Sequence, residues 1–178
     1  MNLESFNYII GSLGLLAMAT FLLVILSLIL RSTSSYANCL VKHIKKNHLG
    51  LTLLFALMAT IGSLSYSDYF MLSPCKLCWY QRIFMYPIVL IALIGGFLKD
   101  PKAGVYSLWL ALCGALISLY QLYLQFVATG YSDCAIVGQN ANCSKVWIKV
   151  FDFMTIPSMA LICFVAIITV NVINLKAK

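Results

Sequence analysis

Five apolar stretches, each near the length of a membrane-crossing helix, decide what this chain can become. They run over about Tyr8–Leu30, Leu49–Tyr66, Trp79–Leu98, Gly104–Ala128 and Phe153–Leu175. A hydrocarbon core about 30 Å thick takes roughly 20 helical residues, and a backbone deprived of water must satisfy its polar groups within the helix. The expected fold class is therefore an all-α integral membrane protein. Composition agrees: 62% of residues are hydrophobic and 10% charged, against roughly 25% charged in soluble domains. The first stretch exceeds the roughly 7–15-residue core of a cleaved signal and lacks a basic residue ahead of it. It reads as a retained span.

The formal charge of +7 excludes little by itself, but its placement excludes a nucleic-acid-binding face. Lys and Arg fall in short clusters between apolar runs, the pattern of topology signals. Arg31, Lys42, Lys45 and Lys46 occupy the first connection, Lys99 and Lys102 the third, and Lys176 and Lys178 the tail. These eight of twelve basic residues fall on one side, which the positive-inside tendency assigns to the cytoplasm. The connection Lys99-Asp100-Pro101-Lys102 reads as a tight turn, Gly95-Gly96 permits close packing or fraying, and Pro87 is expected to kink its helix mildly.

That orientation sorts the seven cysteines. Cys75, Cys78, Cys134 and Cys143 fall on the extracytoplasmic side, where disulfides form and persist. Cys39 falls in the basic loop, and Cys113 and Cys163 lie in apolar runs, where they read as small buried hydrophobes.

The stretch "SPCKLCWYQRIFMYP" carries the chemistry. Ser73 followed by Pro74 is a helix-start signature, a hydroxyl cap with proline at the first helical position. Cys75 and Cys78 then lie in the first turns, where unpaired N–H groups and the helix dipole favour an anion. The thiolate is the nucleophile of thiol chemistry, so the position activates the sulfur. Arg82 lies four residues beyond Cys78, one turn deeper on the same face, about 6 Å along the axis. Alone it reads equally well as a snorkelling anchor. Beside two cysteines, its fixed charge suits the carbonyl oxygen of a flat, lipid-soluble electron acceptor. Trp79, Tyr80 and Phe84 offer an apolar wall, although a membrane-interface aromatic belt accounts for them too.

The second pair sits in "SDCAIVGQNANCS", a polar loop with nothing to pack a core. A bridge across so short a loop adds only modest entropic stabilisation, so a disulfide that is attacked and re-formed makes fuller use of it. In the following "SKVWIKVFDF", Lys145, Lys149 and Asp152 fall within an arc of about 60°, as for a short helix lying in the membrane surface. A four-cysteine zinc site is the competing reading of the cysteine set. The 55 residues between Cys78 and Cys134 and the eight between Cys134 and Cys143 are atypical of compact zinc modules, and no metal is expected.

With "PCKLCWYQR" at the head of a span and a later exported cysteine pair before a "W…F…IPS" span, the chain resembles the DsbB/BdbC family. These are membrane thiol:quinone oxidoreductases of bacterial disulfide formation. The likeness covers about residues 50–175. It implies a four-helix transmembrane bundle over residues 49–178 with two extracytoplasmic redox loops. Residues 1–48 then add one N-terminal transmembrane helix and a basic cytoplasmic loop. It implies residence in the bacterial cytoplasmic membrane and a quinone, ubiquinone or menaquinone, as cofactor. Its partner would be a DsbA-like thioredoxin-fold thiol oxidase, in support of exported-protein folding. Carried over, Cys75 and Cys78 form the quinone-proximal pair, Cys78 engages the quinone and Arg82 polarises it, with Trp79 beside it. Cys134 is the sulfur that the partner attacks, and Cys143 resolves the mixed disulfide. Two departures stand out: the extra N-terminal span, and a Cys134–Cys143 spacing nearer the BdbC type.

Two other readings fit the same residues. A vitamin K epoxide reductase-like protein also pairs a bundle cysteine motif with loop cysteines, but there the loop pair comes first in the chain. A non-catalytic scaffold would use both pairs as structural disulfides.

Overall fold

A computed structural model of the chain describes residues 35–71, 73–127 and 155–176, together with positions 8, 11, 12, 14–16, 18 and 19. Among the described residues five uninterrupted helices are present: α1 Ser35–Lys46, α2 His48–Leu64, α3 Lys76–Leu98, α4 Ala103–Phe126 and α5 Ile156–Lys176. No strand occurs among the described residues. Among the described residues, four helical segments are long and apolar enough to cross a bilayer, at His48–Tyr69, Lys76–Leu98, Ala103–Phe126 and Ile156–Leu175. These match the last four expected spans to within a few residues. Most of Tyr8–Leu30 lies outside the described residues, as do Cys134, Cys143 and the expected surface helix around Lys145–Asp152.

Antiparallel neighbours follow from the short connections. α3 packs between α2 and α4, and α5 closes the ring against α4 and α2. The inward stripe of α4 is built from small residues, with Ser107, Ala111, Gly114, Ala115 and Ser118 all buried. Between membrane helices, attraction comes from close packing, so small residues at helical spacing let the backbones approach. Gly114 is the tightest point, where a Cβ would collide with the Phe164 ring of α5. Phe164, Ile88, Met85, Ala56 and Ile167 form the buried core around it.

The turn between α3 and α4 is tight, as expected. Lys99 closes α3 in the left-handed conformation at φ 52°, Asp100 N–H donates to the Gly95 carbonyl at 2.9 Å, and Asp100 Oδ1 accepts from Lys102 N–H at 2.9 Å. Gly95 meets Ala103 across this turn, with no room for a Cβ between them. Pro87 lies inside α3, which continues through it.

Three local expectations are corrected. The helix carrying the cysteines starts later than the Ser-Pro pair indicates: Cys75 itself is the N-cap and Lys76 the first helical residue. The basic first connection is helical over α1. Val41 and Ile44 pack on Val170 and Ile173 of α5, while Lys42, His43, Lys45 and Lys46 stay exposed, the division of an amphipathic helix. Cys39 lies exposed on α1. Cys113, expected to be buried, is exposed, because the inward stripe through Ala111, Gly114 and Ala115 turns it outward. Cys163 is half-buried.

Candidate redox site

The site forms at the end of the bundle opposite the Lys99–Lys102 turn. Cys75 ends the preceding extended segment at φ −74° and ψ 170°, and its sulfur accepts from the Cys78 backbone N–H at 3.4 Å. Sulfur thereby does the work of a capping oxygen and binds one of the N–H groups that a helix start leaves unpaired. The two sulfurs stand 3.2 Å apart. Cys75 is buried among Leu77 and Leu124, with Cys78 and Ile117 packed alongside.

Two glutamines complete the sulfur environment, and neither was singled out from the sequence. Gln121 of α4 donates through Nε2 to Cys75 Sγ and to Cys78 Sγ, each at 3.4 Å. Gln81 of α3 donates to Gln121 Oε1 at 2.8 Å. Both side chains are buried, at 2% exposure for Gln121 and 6% for Gln81. The available signal was a glutamine within an apolar span, a polar group that needs an internal partner.

Arg82 lies one turn below Cys78 on α3, at 9% exposure. Its Nε donates to Ser63 Oγ at 2.9 Å and its Nη2 to the Ser63 carbonyl at 3.0 Å. Its guanidinium also sits 5.2 Å from the centroid of the Trp79 ring, within cation–π range. Ser63 is near the end of α2, just before the chain widens into a π turn over Ser65–Tyr69. Such turns recur where a helix is adapted to a local task. Here the π turn places buried Tyr66 beside Ile156, Met159 and Ile162 of α5.

These elements enclose one cavity of about 180 Å³. Cys75, Cys78 and Arg82 of α3 line it together with Gln121 and Gln125 of α4. Tyr66, Met85, Met159 and Phe164 provide apolar wall. Gln125 Oε1 and Thr155 Oγ1 are buried on this lining without a hydrogen-bond partner among the described residues. Of the residues expected here, Cys75, Cys78 and Arg82 converge. Trp79 is about half exposed and backs Arg82 without lining the cavity, and neither Tyr80 nor Phe84 lines it. Cys134 and Cys143 are outside the described residues.

Comparison with known proteins places the chain among disulfide bond formation proteins. The family described as "Disulfide bond formation protein DsbB" matches residues 45–174. "Disulfide bond formation protein C" of Bacillus subtilis (strain 168) is 44% identical over 113 residues, covering 64% of this chain and 81% of the relative. "Probable disulfide formation protein C" of Halalkalibacterium halodurans is 41% identical over 125 residues, covering 70% and 90%. "Probable disulfide formation protein C 2" of Bacillus anthracis is 37% identical over 131 residues, covering 74% and 92%. No solved structure matches the chain significantly.

Proposed function

The chain belongs to the DsbB family of disulfide bond formation proteins, and from that premise we propose that it reoxidises an extracytoplasmic DsbA-like thiol oxidase and delivers the electrons to a membrane quinone. Membership makes it a multi-pass membrane protein of disulfide oxidation. The proposal adds the electron acceptor, the partner and the residues. The observation that carries it is the shared cavity: Cys78 and Arg82, one helical turn apart, line the same niche.

The niche suits a quinone head. An apolar cavity of about 150 Å³ accepts one benzene ring, and this one is slightly larger at about 180 Å³. Arg82 supplies a permanent donor for a ring oxygen, Gln125 and Thr155 bring unpartnered polar atoms, and Met85 and Phe164 bound the flat apolar body. A quinone bound there supplies a sink for two electrons and two protons.

The chain's own residues carry the rest. A partner thiolate attacks Cys134 in the Cys134–Cys143 disulfide and displaces Cys143 as thiolate. The second partner thiol then closes the partner's disulfide and releases Cys134. The new Cys134/Cys143 dithiol reduces the Cys75–Cys78 disulfide by the same two exchanges. Each exchange breaks one S–S bond and makes another, so no electron is lost until Cys75 and Cys78 close again and release two electrons and two protons. Cys75 and Cys78 need little movement to close, and Arg82 is held by Ser63 before any acceptor arrives. The redox end faces the extracytoplasmic side of a bacterial cytoplasmic membrane, and the Lys99–Lys102 end faces the cytoplasm.

The test is a purified assay with a reduced thioredoxin-fold partner and a soluble quinone, followed by quinone absorbance. Wild type should turn over, Cys78→Ser should not, and Arg82→Ala should be strongly impaired. No turnover by wild type, or full turnover by both variants, would overturn the proposal.

A further inference from the structure

We infer that Gln121 sets the redox poise of the Cys75–Cys78 pair, with Gln81 as the latch that holds its amide the right way round. The inference rests on the redox role proposed for that pair and assigns what tunes it.

Gln121 projects from α4, a helix with no reason of its own to bury an amide. A buried amide is costly unless both its ends are bonded. Gln81 Nε2 takes the oxygen end at 2.8 Å, which turns the nitrogen end, with its two N–H groups, toward the sulfurs. Nε2 lies 3.4 Å from each sulfur, and Oε1 also accepts from the Cys78 thiol at 3.9 Å, a second contact open only to the reduced pair. A mutual pair of glutamines would need no sulfur to be satisfied. Here the second donor pair is spent wholly on Cys75 and Cys78.

The consequence follows from how sulfur accepts. Hydrogen bonds to an ionised acceptor are roughly twice as strong as neutral ones, and only the reduced pair can carry a thiolate. The Gln121 donors therefore favour the reduced form over the disulfide. A couple whose reduced form is stabilised is a stronger oxidant, the principle that makes DsbA strongly oxidising. In this chain that draws electrons from the Cys134/Cys143 pair to a pair buried beside the acceptor niche. Arg82 does not duplicate the effect by contact, because its Nε and Nη2 donors go to Ser63.

The latch makes a prediction that bulk alone does not. In Gln81→Glu, an ionised carboxylate replaces the donor with an acceptor of nearly the same shape. Gln121 then gains by turning its nitrogen toward position 81 and its oxygen toward the sulfurs. Gln81→Glu should move the couple in the same direction as Gln121→Met, which removes the donors outright.

The experiment uses the full chain with Cys134→Ser and Cys143→Ser, in detergent, equilibrated with glutathione buffers. The balanced exchange is the Cys75–Cys78 disulfide plus two glutathione thiols, giving the dithiol plus glutathione disulfide. Acid quenching and alkylation follow, and the intact-chain mass counts two more labels in the reduced form. Gln121→Met should shift the equilibrium ten- to hundredfold toward the disulfide, about 30–60 mV at 29.6 mV per tenfold. Gln81→Glu should shift it the same way by less, and carries the test if Gln121→Met fails to fold. Folded variants within twofold of the parent ratio would overturn the inference alone. A parent pair that never closes to a disulfide would overturn it together with the proposed function.

Discussion

Arg82 is held by Ser63 at two points, its Nε on the hydroxyl at 2.9 Å and its Nη2 on the carbonyl at 3.0 Å. The contact joins α3 to the end of α2 and fixes the guanidinium plane before anything enters the niche. A fork with parallel donors can do this, whereas an ammonium is a compact point charge on a flexible stem. A snorkelling anchor would need no such clamp, and its charge would face water.

Arg82→Lys should therefore behave unlike a conservative change. Hydrogen bonds to charged groups contribute about 1.5–3 kcal/mol, and each 1.4 kcal/mol is tenfold in an equilibrium. The KM for a soluble quinone should rise about tenfold or more, while single-turnover oxidation of the partner by the pre-oxidised protein stays near wild type. Ser63→Ala, which leaves the carbonyl acceptor, should raise KM only a few-fold. Steady-state kinetics with quinone as varied substrate checks both, and an unchanged KM in Arg82→Lys would restore the anchor reading.

Cys75→Ser should separate chemistry from folding. The Cys75 sulfur caps the Cys78 N–H, and serine is among the preferred N-cap residues. Thermal stability in detergent should equal or exceed that of wild type, while quinone reduction falls to background. A destabilised Cys75→Ser would show that the cap depends on sulfur at this place.

Cys143→Ser should trap the partner. Here the lone Cys134 thiol attacks the disulfide of an oxidised thioredoxin-fold partner, and with no Cys143 thiol to displace the partner the adduct should accumulate on a non-reducing gel and dissolve with reductant. A scaffold with two structural disulfides would give no adduct, and Cys75→Ala would then leave partner oxidation untouched.

The architecture was largely legible because its signal is additive over many residues: some twenty apolar side chains in succession mark a span. The convergence of Cys75, Cys78 and Arg82 was legible because their types and spacing place them on neighbouring turns of one helix. What escaped depends on single partners across the bundle. Ser63 and Gln121 lie 19 and 43 residues from the groups they bind on α3, and nothing local to either announces the contact. The late start of α3 was missed for a related reason, since Ser73 and Pro74 have the right propensities but Cys75 makes the capping bond. Cys113 was misjudged because an apolar run reads alike on its lipid-facing and inward sides. Only the small-residue stripe of α4 tells them apart.

Gly114→Ala tests that stripe. A methyl there would enter the Phe164 ring, which is fully buried. Overpacking of this kind costs about 1–3 kcal/mol, so the melting temperature in detergent should fall. A second substitution, Phe164→Leu, should recover part of the loss, since contacting positions are not additive. Equal melting of Gly114→Ala and wild type would mean that α4 and α5 are not pressed together at this level.

Thr52 and Asn171 provide the corresponding test at the far end of the bundle. Asn171 Nδ2 donates to Thr52 Oγ1 at 3.0 Å and to the Ile167 carbonyl at 2.9 Å, tying α2 to α5 where both side chains are fully buried. Asn171 Oδ1 has no partner among the described residues. Interhelical hydrogen bonds in membrane proteins contribute about 0.6 kcal/mol on average and up to about 1.7. Thr52→Val should cost about 0.5–2 kcal/mol in a denaturant titration, because it leaves an Asn171 donor unmatched. Thr52→Val with Asn171→Leu should cost less than the sum of the two single changes, since replacing both partners also removes the orphaned oxygen. Strict additivity in that double-mutant cycle would mean that the two side chains do not share a bond in the folded protein.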